Sequence, residues 1–71
     1  MNYQGSGTAA EPPFDEVYAL ELQFTEIYDA AEEDRPRMIR RLYLQYHPDK
    51  NAAPYAGILF GHIKSFWDGL H

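Results

Sequence analysis

The residues of this chain that are best suited to chemistry lie in one short stretch, His47-Pro48-Asp49-Lys50. An imidazole can donate or accept a proton, and a carboxylate can bind an arginine through charge-assisted hydrogen bonds. Pro48 has a fixed φ and no N–H, so it favours a helix stop followed by a turn. A hydrolytic His47/Asp49 pair is disfavoured, because the sequence shows no nucleophile or enclosed pocket beside such a turn. We interpret the stretch as a binding tip; the alternative is a polar turn without function.

Other residues give weaker signals for chemistry. His62, Asp68 and His71 could in principle bind a metal, but their spacing fits no recognised site, so we predict neither a metal nor a cofactor. The chain has no cysteine, which fits a reducing, cytoplasmic compartment and excludes disulfides. The aromatic residues at helical spacing are assigned to the core rather than to a cofactor pocket: Phe24, Tyr43, Tyr46, Phe60 and Trp67.

Apolar spacing predicts three helices around this tip, at about residues 14–32, 35–46 and 54–69, and therefore an all-α fold. In the second helix, Pro36 suits the first turn and Pro48 the stop. Residues 1–13 lack periodicity and are rich in Gly, Ser and Pro, so we interpret them as a disordered leader or a cloning remnant. The residues expected to face the core are Phe14, Val17, Leu20, Phe24, Ile27, Ala31, Met38, Ile39, Leu42, Tyr43, Tyr46, Ala56, Phe60, Ile63, Trp67 and Leu70.

The charges are segregated along the chain. Residues 1–34 contain nine acids and no Lys or Arg, whereas residues 35–50 contain four arginines and Lys50 against the single acid Asp49. On the second helix, Arg37, Arg40 and Arg41 fall on the side opposite the predicted core. This face predicts a partner with an acidic surface, although a solvated helix face is the alternative. Nucleic-acid binding is also open, but the nine acids and the net charge of −5 disfavour it.

The stretch from Ile39 to Asn51 resembles the second helix and following loop of a J domain, the co-chaperone module of DnaJ-like proteins. The His-Pro-Asp-Lys motif follows a Leu-x-Leu-x-Tyr helix with basic residues on its far side, and an Ala-x3-Phe-x2-Ile helix comes after it. The wording Arg-Arg-Leu-Tyr-Leu is most similar to J domains of the sacsin type. The resemblance covers residues 36–70 in detail and residues 14–32 by pattern only. The Tyr-x-x-Leu-Gly signature of many first helices is absent, and Gln45 replaces a common Lys.

The resemblance implies an antiparallel hairpin of helices one and two with the His-Pro-Asp loop at its tip and helix three packed across it. It further implies that the chain binds a DnaK-type chaperone and stimulates its ATP hydrolysis, as a regulator and not as an enzyme. His47, Pro48, Asp49, Arg37, Arg40, Arg41 and Lys50 would form the partner-binding surface. An inactive J-like scaffold is the remaining alternative. We expect the isolated domain to be a monomer. We also expect no membrane partner, because no apolar stretch approaches the roughly 18 residues of a bilayer span.

Overall fold

The computed structural model describes residues 11–70, which form three α-helices: α1 (Phe14–Asp29), α2 (Arg35–Tyr46) and α3 (Ala56–Gly69). A 3-10 turn, Glu32–Asp34, leads into α2, and no strand occurs among the described residues. The all-α class is therefore confirmed. The proposed leader lies mostly outside the described residues, apart from positions 11–13. Pro13 is the N-cap of α1, and its carbonyl accepts hydrogen bonds from the amides of Glu16 and Val17 at 3.0 and 3.2 Å.

Helix α1 ends three residues before the end that periodicity predicts, although Ala30, Ala31 and Glu32 favour helix formation. Ala30 and Ala31 adopt extended backbone conformations with ψ of 161° and 141°. The side chain of Arg35 crosses this turn and donates hydrogen bonds to the carbonyls of Ile27 at 3.2 Å and Tyr28 at 2.8 Å. The guanidinium thus donates the hydrogen bonds that the amides of a further helical turn would have donated to these two carbonyls.

Neighbouring helices run antiparallel. The start of α2 contacts the end of α1 through Arg35. At the other end of the pair, the charge of Glu16 in the first turn of α1 raises the pKa of Tyr46, the last residue of α2. At one end of the α2–α3 pair the rings of Tyr43 and Phe60 lie 5.2 Å apart, and at the other Pro36 and Trp67 line one cleft.

The loop with the His-Pro-Asp motif joins α2 to α3, and this pair makes the most extensive contact of the three. The hairpin that carries the loop is consequently α2–α3 and not the pair of helices one and two expected from the sequence. A loop lies at the tip of the two helices that it connects, so α1 serves as the third helix packed on this hairpin.

All three helices contribute to the core. Its buried members are Leu20, Ile27, Ile39, Leu42, Tyr46, Ala56, Leu59 and Ile63. The predictions for Phe14 and Ala31 are wrong, because both are exposed. Phe14 is the first residue of α1 and Ala31 lies two residues after its last, so both are at the margins of the helix. Two α3 residues were not anticipated: Leu59 is fully buried, and the ring of Phe66 stacks on Phe24 with centroids 4.2 Å apart.

Candidate functional site in the turn after α2

The candidate site begins where α2 stops. Tyr46 is its last helical residue and is buried, whereas His47 leaves the helix with φ −63° and ψ 130°. This extended conformation is the one that a following proline favours, because its Cδ collides with a helical residue before it. Pro48, Asp49 and Lys50 then form an exposed turn. The proline thus sets the point at which the motif leaves the helix.

Hydrogen bonds within the backbone and from one side chain brace this turn. The carbonyl of His47 accepts hydrogen bonds from the amides of Lys50 and Asn51, both at 2.9 Å. The side-chain amide of Asn51 donates to the carbonyl of Gln45 at 3.1 Å and accepts from the amide of Ala53 at 3.0 Å. Asn51 therefore satisfies one of the last carbonyls of α2 and fixes the exit from the turn.

The imidazole of His47 is held on two sides. Its ring packs edge-on against Phe60 of α3, with centroids 5.3 Å apart and an interplanar angle of 72°. Its Nδ1 accepts a hydrogen bond from the amide of Asp49 at 3.2 Å. Since Nδ1 is the acceptor, a neutral imidazole carries its proton on Nε2. The ring can therefore present an N–H donor from its other edge, and its side chain is 43% exposed.

The carboxylate of Asp49 projects further into solvent. Its side chain is 88% exposed, and its Oδ2 lies 3.9 Å from Nδ1 of His47. Together the two residues offer one hydrogen-bond donor and one anionic acceptor on a stiff turn. A cleft of about 150 Å³ lies elsewhere, at the other end of α2, where it is lined by Glu32, Arg35, Pro36, Trp67 and Leu70. The exposed tip is suited to recognition of a partner surface rather than to enclosure of a small substrate.

The basic residues singled out in the sequence are exposed: Arg37, Arg40 and Arg41 lie on α2, and Lys50 lies in the turn. We call the three α2 arginines the basic ridge. Nη2 of Arg37 lies 3.0 Å from Oδ1 of Asp34, one helical turn before it. An exposed ion pair of this kind contributes at most about 1 kcal/mol, so a partner's carboxylate could replace Asp34 at little cost.

Arg35, although part of the same basic block in the sequence, does not belong to the ridge. It is half-buried, and its guanidinium binds the end of α1 and lies 5.9 Å from the ring centre of Tyr28. Cations near a helix C-terminus also interact favourably with the helix dipole. Arg35 is therefore a structural residue that joins α1 to α2.

Two tyrosines of α2 lie beneath the site. Burial raises the pKa of Tyr46, and the nearby charges of Glu16 and Tyr55 raise it further. Burial likewise raises the pKa of Tyr43, with a smaller contribution from Asp68. In each case the apolar surroundings and the negative charge disfavour the phenolate. Both phenols thus stay neutral at physiological pH, and these two residues of α2 do not change charge there.

Sequence reasoning did not single out Asn51 or Phe60 as supports of the tip. The sequence contains a local signal for Asn51, because an Asn just after a turn often accepts a hydrogen bond from the amide two residues later. Phe60 carries no such signal, since its contact with His47 depends on how α3 packs beside α2. The first support could have been predicted, whereas the second required the tertiary structure.

Within residues 11–70 no group of three or more His, Asp or Glu residues is placed to hold a metal ion, and His71 lies outside this range. No helix in the same part of the chain has the length and apolar character needed to cross a bilayer. A comparison of the chain with models of protein families, with curated proteins and with solved structures gives no match. A functional proposal must therefore rest on the motif and on the geometry of the tip.

Proposed function

We propose that this chain is a J domain, most similar to the sacsin type, that binds a DnaK-type chaperone and stimulates its ATP hydrolysis. The observation that carries the proposal is the position of His47-Pro48-Asp49: an exposed, hydrogen-bonded turn directly after a helix with a basic ridge. The α2–α3 hairpin holds this tip, and α1 packs on the hairpin as a third helix.

The tip is suited to binding because little of it has to become ordered. The turn is already closed by backbone hydrogen bonds, and the ring of His47 is already seated against Phe60. Preorganisation of this kind reduces the entropy lost on association. Asp49 would accept paired hydrogen bonds from an arginine of the chaperone, and Nε2–H of His47 would donate to an acceptor beside it.

The basic ridge would meet an acidic surface on the chaperone. Exposed charges of this kind raise the rate of encounter and fix the orientation of docking more than they deepen affinity. Arg40 and Arg41 are both exposed on α2, and the last residue of this helix, Tyr46, directly precedes the motif. Ridge and tip could therefore contact one partner together.

Stimulation would not require chemistry by this chain. A regulator accelerates hydrolysis when it binds the hydrolysis-competent arrangement of its partner more tightly than the resting one. The proposed role is therefore that of a regulator of an ATPase and not that of an enzyme.

The decisive experiment is single-turnover ATP hydrolysis by a DnaK-type chaperone with wild-type chain and with His47→Gln. We expect stimulation to fall at least about tenfold, since losing one partner of a docked polar contact costs about 2 kcal/mol or more. The melting temperature should fall by no more than a few degrees, because the side chain is 43% exposed and its contacts lie at the edge of the fold. His62→Gln, at an exposed position of α3, is the matched control and should retain stimulation. Undiminished stimulation by His47→Gln would refute the proposal.

The basic ridge is tested by Arg41→Glu in the same assay, with Lys64→Glu on α3 as a control of equal charge change. Both positions are exposed, so neither substitution should lower the melting temperature by more than a few degrees. We expect Arg41→Glu to reduce stimulation several-fold at low salt and less at high salt, because screening weakens exposed charge contacts. Equal losses for both variants would argue against a specific ridge. Tight binding of random duplex DNA at physiological salt would instead favour nucleic-acid recognition.

A further inference from the structure

A row of exposed apolar side chains runs along the outer face of α1, the side away from the core. Phe14, Tyr18 and Leu22 follow one another at intervals of four residues and are 78%, 54% and 50% exposed. Residues four apart lie one above the other on a helix, so the three form a continuous ridge about 12 Å long. Scattered exposed apolar residues are common, but a contiguous row of large ones is typical of an interaction surface.

The row is ordered before any partner binds. The rings of Phe14 and Tyr18 lie 6.1 Å apart and nearly parallel, with an interplanar angle of 16°. They belong to a continuous α-helix of 16 residues. A straight row at four-residue intervals is the kind of ridge that packs into the groove of a second helix. The geometry therefore favours a helical partner over an extended peptide.

The charge around the row defines the partner further. Its neighbours on α1 include the exposed acids Asp15, Glu21 and Glu26, and α1 contains no Lys or Arg. A partner helix with an anionic border would be repelled, and so would an anionic membrane surface. A helix with an apolar stripe bordered by Lys or Arg would match both the row and its acids.

A second copy of this chain fits less well. Two α1 faces would bring acids against acids. The basic ridge of a second copy has the right charge, but Leu44 is the one large apolar side chain that is strongly exposed on α2. A single leucine cannot cover three exposed apolar side chains.

We propose that the outer face of α1 is a docking surface for a cationic amphipathic helix of another protein. Binding would bury Phe14, Tyr18 and Leu22 in the apolar stripe of the partner and would place its cations against Asp15, Glu21 and Glu26. This surface consists of α1 residues only, whereas the tip and the basic ridge belong to α2 and the turn after it, so the inference does not depend on the proposed function.

The test uses the full chain, isotopically labelled, and a synthetic 16-residue peptide with Leu at helical spacing and Lys elsewhere. Titration followed by NMR should shift the signals of the outer face of α1 and leave those of α2 unchanged. A peptide of the same composition in scrambled order should bind at least about tenfold more weakly, because it cannot align its leucines on one face. A peptide with Glu in place of Lys should not bind.

Two leucines on different helices provide matched variants. Leu22→Ala should weaken peptide binding about tenfold or more, whereas Leu44→Ala, at a side chain that is 54% exposed on α2, should leave it unchanged. Circular dichroism should show that both variants keep the helical content of the wild type. Equal effects of the two substitutions would overturn the proposal, as would equal binding of the scrambled peptide. Dimerisation through α1, or contacts of residues 1–10 with Phe14 or Tyr18, would also overturn it, because the chain itself would then occupy the face.

Discussion

At the scale of single residues, the candidate site depends on a side chain outside the motif. Asn51 contacts the backbone on both sides of the turn, at Gln45 before it and at Ala53 after it. Proline alone would end α2 but would leave the path of the following residues open. The two side-chain hydrogen bonds of Asn51 fix this path, and the turn that carries His47 is fixed with it.

Asn51→Ala should lower the free energy of unfolding by about 1–2 kcal/mol, because it removes two side-chain hydrogen bonds to the backbone. It should also reduce chaperone stimulation several-fold, since a looser turn loses more entropy on docking. Urea denaturation and the single-turnover assay measure the two effects. Asn51→Asp keeps an acceptor for Ala53 but loses the donor to Gln45, so its stability should be intermediate. Wild-type stability of Asn51→Ala would show that the bracing hydrogen bonds contribute nothing.

At the scale of elements, the junction between α1 and α2 is held by a side-chain clamp rather than by a glycine cap. Arg35 places two donors on the carbonyls of Ile27 and Tyr28, where α1 ends. The 3-10 turn that follows leads directly into α2, whose N-cap residue, Asp34, makes no side-chain capping hydrogen bond. One guanidinium therefore joins the end of α1 to the start of α2, beside the core that the two helices share.

Arg35→Ala should lower the free energy of unfolding by about 2 kcal/mol, since hydrogen bonds from a charged donor are stronger than neutral ones. Arg35→Lys should recover only part of this loss, because an ammonium cannot reproduce the planar fork. Arg40→Ala on the exposed side of α2 is the control and should change stability by no more than about 0.5 kcal/mol. If Arg35→Ala and Arg40→Ala melted alike, the clamp would have no energetic role.

Arg35 also marks the limit of what the sequence predicts about the fold. Helical periodicity and the two prolines of α2 predict the three-helix class and the stop before His47, because these signals are local. The end of α1 could not be predicted, because it depends on an arginine six residues after Asp29 that reaches back across a turn. Similarly, the motif is read directly from the sequence, and helical spacing predicts that Arg40 is exposed. The contact between the rings of His47 and Phe60 could not be predicted, because it depends on the packing of α3.

At the scale of the whole molecule, the segregated charges in the sequence become two separate surfaces. α1 presents acids beside an apolar row, and α2 presents the basic ridge that leads to the tip. The core between them is small, since a chain of this size buries only about 60% of the surface that it exposes when unfolded. Perturbation of one buried group should therefore be visible in the stability of the whole molecule.

Tyr46 offers such a perturbation through pH. It is buried in the core, and burial together with the charge of Glu16 raises its pKa above the usual value. The phenol of the unfolded chain titrates near pH 10, whereas the folded chain retains its proton to higher pH. The stabilisation that this proton provides is therefore complete below about pH 10 and is lost as pH rises through the pKa of the folded state.

The free energy of unfolding of the wild type should fall as pH rises above about 10, and that of Tyr46→Phe should fall less steeply, because phenylalanine has no proton to lose. Urea denaturation at a series of pH values measures both slopes, and an offset between the two proteins at pH 7 does not affect the comparison. Tyr28→Phe, at an exposed ring at the end of α1, is the matched control and should keep the slope of the wild type. If Tyr46→Phe kept the wild-type slope as well, ionisation of this buried phenol would not limit the alkaline stability of the core.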